Sequence, residues 1–263
     1  MDDNKYSIAG LSEDEINSEF SRLENLKIKA MTYVRTPIFI TLDLSGSMRK
    51  QFSMLKEIIK TMDSELRVVP KRDFSLFIIG IYYSTPRVLY FGDLKQFNYA
   101  EFVSALPESC YGSTPLAQSF SKADELYSRF NEICKRNNHW FTIPVFFSIT
   151  DSQATDSADD CSTITKKYIK DIADNNKLLV EFVTGTNPNG LNLGGYKVPI
   201  DESKSKLKVT AFMNALRVAT STEAELEEAR ISRMPSKRNV EEYNRYMSDI
   251  MLANFKFCYD RNC

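Results

Sequence analysis

Asp43-Leu44-Ser45-Gly46-Ser47 sets one carboxylate and two hydroxyls on a short turn, directly after the apolar run Ile38-Phe39-Ile40-Thr41-Leu42. Clustered oxygen donors suit a small hard cation. Mg²⁺ takes oxygen ligands in near-octahedral geometry at about 2.0–2.1 Å and keeps several waters, so it needs few protein groups. Two later segments add oxygen: Ser113-Thr114-Pro115-Leu116, ahead of a helical pattern, and Ser148-Ile149-Thr150-Asp151-Ser152, which closes the apolar run Pro144-Val145-Phe146-Phe147. Loops at the carboxyl ends of strands in one parallel sheet lie side by side, where α/β sheets bind ligands.

Each piece also has a plainer reading. Asp and Ser side chains accept hydrogen bonds from the unpaired amides of a first helical turn, so the Asp43–Ser47 turn can be a cap. Thr114-Pro115 reads as an N-cap followed by proline at the first helical position. Asp151 can be a turn residue. The order and spacing of all three favour a metal site over three separate coincidences.

Together the segments resemble the metal-ion-dependent adhesion site of von Willebrand factor A domains, and the match runs over roughly residues 35–185 in the family's order. The resemblance implies that Ser45, Ser47 and Thr114 are hydroxyl ligands to Mg²⁺, with Mn²⁺ or Ca²⁺ as substitutes, and that Asp43 and Asp151 act mainly through bound waters. It also implies that a partner protein's Asp or Glu fills the remaining position, which makes the site a recognition device rather than an enzyme. Ser152 stands where relatives commonly have Gly. Similar proteins include intracellular bacterial ones encoded with tellurite-resistance, phage-defence and stress systems, and the Lys, Asn and Ile richness suggests an AT-rich bacterial or viral source.

The elements that must position these loops follow from periodicity. Leu11-Ser12-Glu13-Asp14-Glu15-Ile16 combines a capping box with a hydrophobic staple, so a helix begins there. A strand is expected at 37–43, then a helix with Met48, Phe52, Leu55, Ile59, Met62 and Leu66 on one face. Phe74–Ile81 is a nearly continuous apolar run, the mark of a strand covered on both sides, and Arg87–Phe91 returns beside it as an antiparallel hairpin strand. The helix after Thr114 carries Leu116, Phe120, Ala123, Tyr127, Phe130 and Cys134. Phe141–Thr150 is a strand, Cys161–Asn175 a polar helix and Leu178–Thr184 another buried strand. Residues 186–203 read as a surface loop near the metal face, Lys206–Thr220 as a helix, and the stretch beyond Pro235 as a last amphipathic helix through Val240, Tyr243, Met247, Ile250 and Met251.

This alternation predicts a doubly wound, Rossmann-like α/β fold: a mostly parallel sheet with one antiparallel edge strand and helices on both faces. The expected organisation is an N-terminal helical extension (1–34), the central domain (35–220) and a C-terminal helical extension (221–263).

The chain has 263 residues, 43% hydrophobic and 26% charged, with a net charge of −1. That is globular composition without bulk attraction to nucleic acid or an anionic membrane. Five cysteines, at 110, 134, 161, 258 and 263, contain no Cys-x-x-Cys pair and read as free thiols of a reducing compartment. No signal-peptide pattern or long apolar span is present, so a cytoplasmic location is expected.

The competing reading is a Mg²⁺-dependent phosphatase or nuclease using Asp43 and Asp151. Haloacid dehalogenase-like sites need a second acid two residues after the first, and here that position is Ser45. There is no phosphate loop and no nucleophile elbow, and the single histidine, His139, has no nucleophilic partner near it in sequence. Asp156, Asp159 and Asp160 read as a solvated helix start, and Lys204, Lys206 and Lys208 as a solubility feature.

Overall fold

The computed structural model describes residues 10–25, 34–67, 72–137, 139, 141–184 and 190–200, with residues 210, 245, 248, 249, 251–253, 255 and 256 nearer the C-terminus. Its strands are β1 (Val34–Asp43), β2 (Arg72–Tyr82), β3 (Thr85–Asp93), β4 (Val145–Thr150), β5 (Leu178–Thr184) and β6 (Tyr196–Ile200). Its helices are α1 (Glu13–Glu24), α2 (Phe52–Arg67), α3 (Tyr99–Ala105), α4 (Leu116–Arg136) and α5 (Ala158–Ala173). The strands form one sheet in the order β3-β2-β1-β4-β5-β6. All neighbours are parallel except the β2–β3 hairpin. This is the doubly wound α/β architecture expected from the alternation, with its antiparallel strand at one edge.

β1 shows why the apolar runs are continuous. Ile38, Ile40 and Leu42 enter the core shared with α2, while Phe39 enters the core shared with α1, α4 and α5. Both faces are covered, so neither can be polar. On the α4 side, four in-register rings cross the sheet: Phe91–Phe77 at 4.3 Å, Phe77–Phe39 at 4.3 Å and Phe39–Phe146 at 4.9 Å between centroids. Each such cross-strand aromatic pair is worth about 0.5–1.5 kcal/mol beyond its burial. The ladder fixes the register of β1 against β4, and with it the relative height of their carboxyl ends.

α1 begins as its sequence requires: Ser12 and Glu15 form the reciprocal capping box, and Ile16, Phe20 and Leu23 are buried against the sheet. Near the C-terminus, Met251, Leu252 and Phe255 are buried in the α2-side core. The Ile143 amide donates to Ser248 Oγ at 2.9 Å. These described residues cover the sheet.

Three features differ from expectation. Residues 196–200, assigned to a surface loop, form β6, parallel to β5. The strand is short and alternates buried with exposed positions, and its Pro199 is tolerated because β6 is an edge. α3, capped by Asn98, was not anticipated. Phe141 makes only an isolated bridge to Arg35, so β4 starts at Val145. The helix expected over 206–220, the lysines at 204, 206 and 208, and Val240, Tyr243, Met247 and Ile250 lie outside the described residues.

Glu181, in the middle of β5, is buried. Burial raises its pKa, against Lys197 and against hydrogen bonds from the Gly195 and Leu193 amides. A raised folded-state pKa means the native chain holds a proton that the unfolded chain has released, so stability falls as pH rises from the unfolded value of about 4.5 through the folded one. Glu181→Gln keeps an acceptor for the two amides and removes the charge. It should raise the thermal midpoint at pH 7 and flatten the pH dependence of unfolding between pH 4 and 7; an unchanged profile would show that this carboxyl does not govern it.

Candidate metal centre

In a sheet of this order the crevice opens where adjacent parallel strands send their connections to opposite faces. Here that point lies between β1 and β4: β1 leads to α2 on one face, and β4 leads to α5 on the other. Asp43 ends β1, and Asp151 follows β4. The chemistry the sequence singled out therefore sits at the topological switch point.

Asp43 is fully buried, at 0% exposure. Its Oδ1 accepts from the Ser45 amide at 3.0 Å, closing the turn, and its Oδ2 accepts from the Thr150 hydroxyl at 2.7 Å, tying β1 to β4. Burial raises its pKa, the charge of Asp151 adds to the rise, and hydrogen bonding from Ser45 and Thr150 opposes it. Ser45 Oγ and Ser47 Oγ are 3.1 Å apart, Ser45 buried and Ser47 exposed. Asp151 Oδ1 accepts from the Gln153 amide at 3.0 Å.

Thr114 arrives differently from expectation. It follows α3 and the connection 106–115 rather than a strand. That connection crosses the end of β1: the Tyr111 amide donates to the Leu44 carbonyl at 2.9 Å, and the Gly46 amide donates to the Gly112 carbonyl at 3.1 Å. Thr114 is buried, and its carbonyl accepts from the Thr155 amide at 2.8 Å. The structure thus links Asp43, Ser45 and Ser47 directly, sets Asp151 within electrostatic reach of Asp43, and joins the backbone of the Thr114 loop to both other loops.

Of the plainer readings, Ser45 makes no side-chain cap bond to the 3₁₀ turn Gly46–Gln51, while Asp43 and Asp151 each accept an amide two residues on, as turn residues do. The α4 amides of Ala117 and Gln118 instead donate to the Asp156 carboxylate at 2.9 and 3.1 Å. Asp156 is therefore not a solvated helix-start residue but a clamp between the second and third loops, and the first turn of α4 takes its cap from Asp156. Sequence reasoning missed this clamp because Asp156 and Ala117 are far apart in the chain. It also missed Thr150, whose signal was a hydroxyl one residue before Asp151.

Other candidates settle into plain roles. His139 is buried, its amide donates to the Cys134 carbonyl at 2.8 Å, and burial lowers its pKa. Cys110 and Cys134 are buried thiols pushed up to about 12, mainly by desolvation.

No protein-family model matches the chain, and no curated protein matches its sequence. Solved structures do match. A von Willebrand factor type A protein from Catenulispora acidiphila superposes with a TM-score of 0.52 at 15% identity, covering 72% of this chain and 43% of that one. The fold is that of a von Willebrand factor A domain. Manganese-loaded TRAP protein from Plasmodium vivax gives a TM-score of 0.44 at 13% identity, covering 69% of this chain and 74% of that one. The chain thus spans less than half the length of the Catenulispora protein, and the A-domain likeness concerns architecture.

A divalent cation fits the donor set within this A-domain fold. Among the described residues no group of three His, Cys, Asp or Glu side chains clusters, and the carboxylates and hydroxyls at this crevice are hard oxygen donors of the kind Mg²⁺ takes rather than the sulfur and nitrogen donors zinc prefers. Two carboxylate charges held close in a buried crevice are also what a divalent charge offsets.

Ser152, the residue that departs from the family pattern, has φ +64° and is buried. That left-handed backbone costs a non-glycine residue about 1–2 kcal/mol. Ser152→Gly should therefore leave stability unchanged or raise it by up to about 1 kcal/mol, after the extra chain entropy of glycine. Ser152→Val should lose about 2 kcal/mol or more in denaturant unfolding; equal stabilities of the two variants would contradict the strain.

Proposed function

We propose that the chain is a divalent-metal-dependent protein-recognition module, in which Asp43, Ser45, Ser47, Thr114 and Asp151 hold Mg²⁺ and an Asp or Glu of a partner protein completes its coordination. The observation that supports this reading is that the Ser45 and Ser47 hydroxyls meet 3.1 Å apart beside the buried Asp43 at the switch point of the sheet, while α4 is capped by Asp156. Ser45, Ser47 and Thr114 would supply neutral oxygens, Asp43 and Asp151 the balancing charge. The bound ion supplies an electrophilic position at which a partner carboxylate forms a charge-assisted bond.

The reading extends to a scaffold of a cytosolic bacterial stress or defence complex. The unpaired thiols of Cys110, Cys134 and Cys161 suit a reducing compartment. Among the described residues no helix is long and apolar enough to cross a membrane.

Phosphatase or nuclease chemistry at Asp43 and Asp151 is the competing reading. A carboxylate with no exposure and a hydrogen bond on each oxygen is poorly placed to attack phosphorus. Recognition is favoured for that reason.

Thr114 separates a metal ligand from a packing residue. Because it is buried, Thr114→Val keeps shape and removes only the oxygen, whereas Thr114→Ser keeps the oxygen. Calorimetric titration with Mg²⁺ should show affinity reduced about tenfold or more in Thr114→Val, near-native affinity in Thr114→Ser, and no binding in Asp43→Ala. Mg²⁺ binding of native strength in Thr114→Val and Asp43→Ala would refute the site, and Mg²⁺-dependent hydrolysis of a generic phosphate ester, abolished in Asp43→Asn, would establish the competing reading.

A further inference from the structure

One flank of the crevice is aromatic and cationic. Tyr83, at the β2–β3 turn, is a large apolar side chain left 48% exposed. Both residues of that turn have left-handed backbones, Tyr83 at φ +49° and Ser84 at φ +61°, conformations that glycine or asparagine would adopt at lower cost. The turn is held there by the Thr114 loop. The amide and hydroxyl of Ser113 donate to Ser84 Oγ, and Gly112, at φ +87°, packs so closely that a Cβ on it would lie 2.8 Å from Tyr83 Cα. Tyr83 stacks parallel to Tyr111 at 6.2 Å, and the Arg49 guanidinium lies 4.9 Å from the centre of the Tyr111 ring. Tyr111 and Gly112 are themselves bonded to Leu44 and Gly46 of the Asp43–Ser47 turn, so this aromatic and cationic shelf borders the crevice directly.

The shelf side carries Arg49, Lys50 and Arg87, with one exposed acid, Glu108, in the 106–115 connection. Exposed Asp159 and Asp160 lie in the first turn of α5, where Asp160 lines a groove shared with Pro86, Lys122 and Lys167.

We propose that the shelf of Tyr83, Tyr111 and Arg49 is a specificity surface that selects a protein segment in which the metal-seeking Asp or Glu is flanked by an aromatic or large aliphatic residue and by a second acidic residue. The apolar neighbour packs on Tyr83, and the second acid meets Arg49. The strained turn is the cost of keeping a large ring at the rim, and Gly112 and Ser113 couple that ring to the loop carrying Thr114. The proposal rests on the metal-dependent reading above and adds the sequence preference of the partner.

The test is selection of displayed random peptides built around a fixed central Glu, bound to the full chain in Mg²⁺ and eluted with EDTA. Eluted peptides should be enriched in aromatic, Leu, Ile or Met residues and in Asp or Glu beside the central Glu. Tyr83→Asn keeps a residue type that accepts the left-handed backbone, and Arg49 is exposed, so both variants should fold. Tyr83→Asn should erase the apolar preference and weaken the best peptides about tenfold; Arg49→Glu should replace the acidic preference with a basic one. Mg²⁺-dependent peptides with random flanks, or flanks unchanged in both variants, would overturn the shelf and leave the metal reading standing. No EDTA-eluted peptides at all would overturn both.

Discussion

The structure turns on one buried carboxylate. Asp43 lies at the end of the central strand, out of contact with water, and a lone ionised carboxyl in such a place costs several kcal/mol. The chain offsets part of that cost with the Ser45 amide and the Thr150 hydroxyl, and each offset has a geometric consequence. The amide bond curls the chain so that Ser45 and Ser47 come together; the hydroxyl bond locks β1 to β4 where their connections part. Asp151 then brings a second negative charge to a place already short of solvation. The arrangement concentrates acidic groups instead of dispersing them, and that is the feature from which the proposed cation site follows.

The three loops behave as one body because the Thr114 connection is bonded through backbone to both others, and the Thr150 hydroxyl joins the outer two at Asp43. Leu44 and Gly46 bond to the 110–115 connection, Thr114 bonds to Thr155, and Asp156 caps α4. The Leu191 amide also donates to the Ser152 carbonyl at 3.0 Å, so the segment leading to β6 buttresses the Asp151 loop. Precise placement of side-chain oxygens needs this kind of support, since ligands on unsupported loops are not held to fractions of an ångström. Underneath, the phenylalanine ladder across β3, β2, β1 and β4 sets the register that the loops inherit.

Much of this was legible in the residues. Continuous apolar runs gave β1, β2, β4 and β5, because strands buried on both faces leave no other pattern. The Ser12–Glu15 box gave the start of α1. What was not legible depends on contacts between distant segments. Asp156 reads as one acid among several until α4 is seen beside it, and Thr114-Pro115 imitates a cap so well that local chemistry alone cannot separate the two. β6 failed for another reason: a half-exposed edge strand with a proline has neither a continuous nor a long alternating signal. Ser152 has a left-handed backbone that glycine would adopt at lower cost, a feature of the folded loop that residue type alone does not reveal.

The central claim is that five oxygen-bearing side chains from three loops share one cation, and diffraction from crystals grown with Mn²⁺, using its anomalous scattering, tests it most directly. The account predicts a single strong peak in the crevice, with Ser45, Ser47 and Thr114 hydroxyl oxygens at about 2.0–2.3 Å from it and Asp43 and Asp151 around it. No peak there at saturating Mn²⁺, or Mn²⁺ held elsewhere while Ser45 and Ser47 remain bonded only to each other, would contradict it.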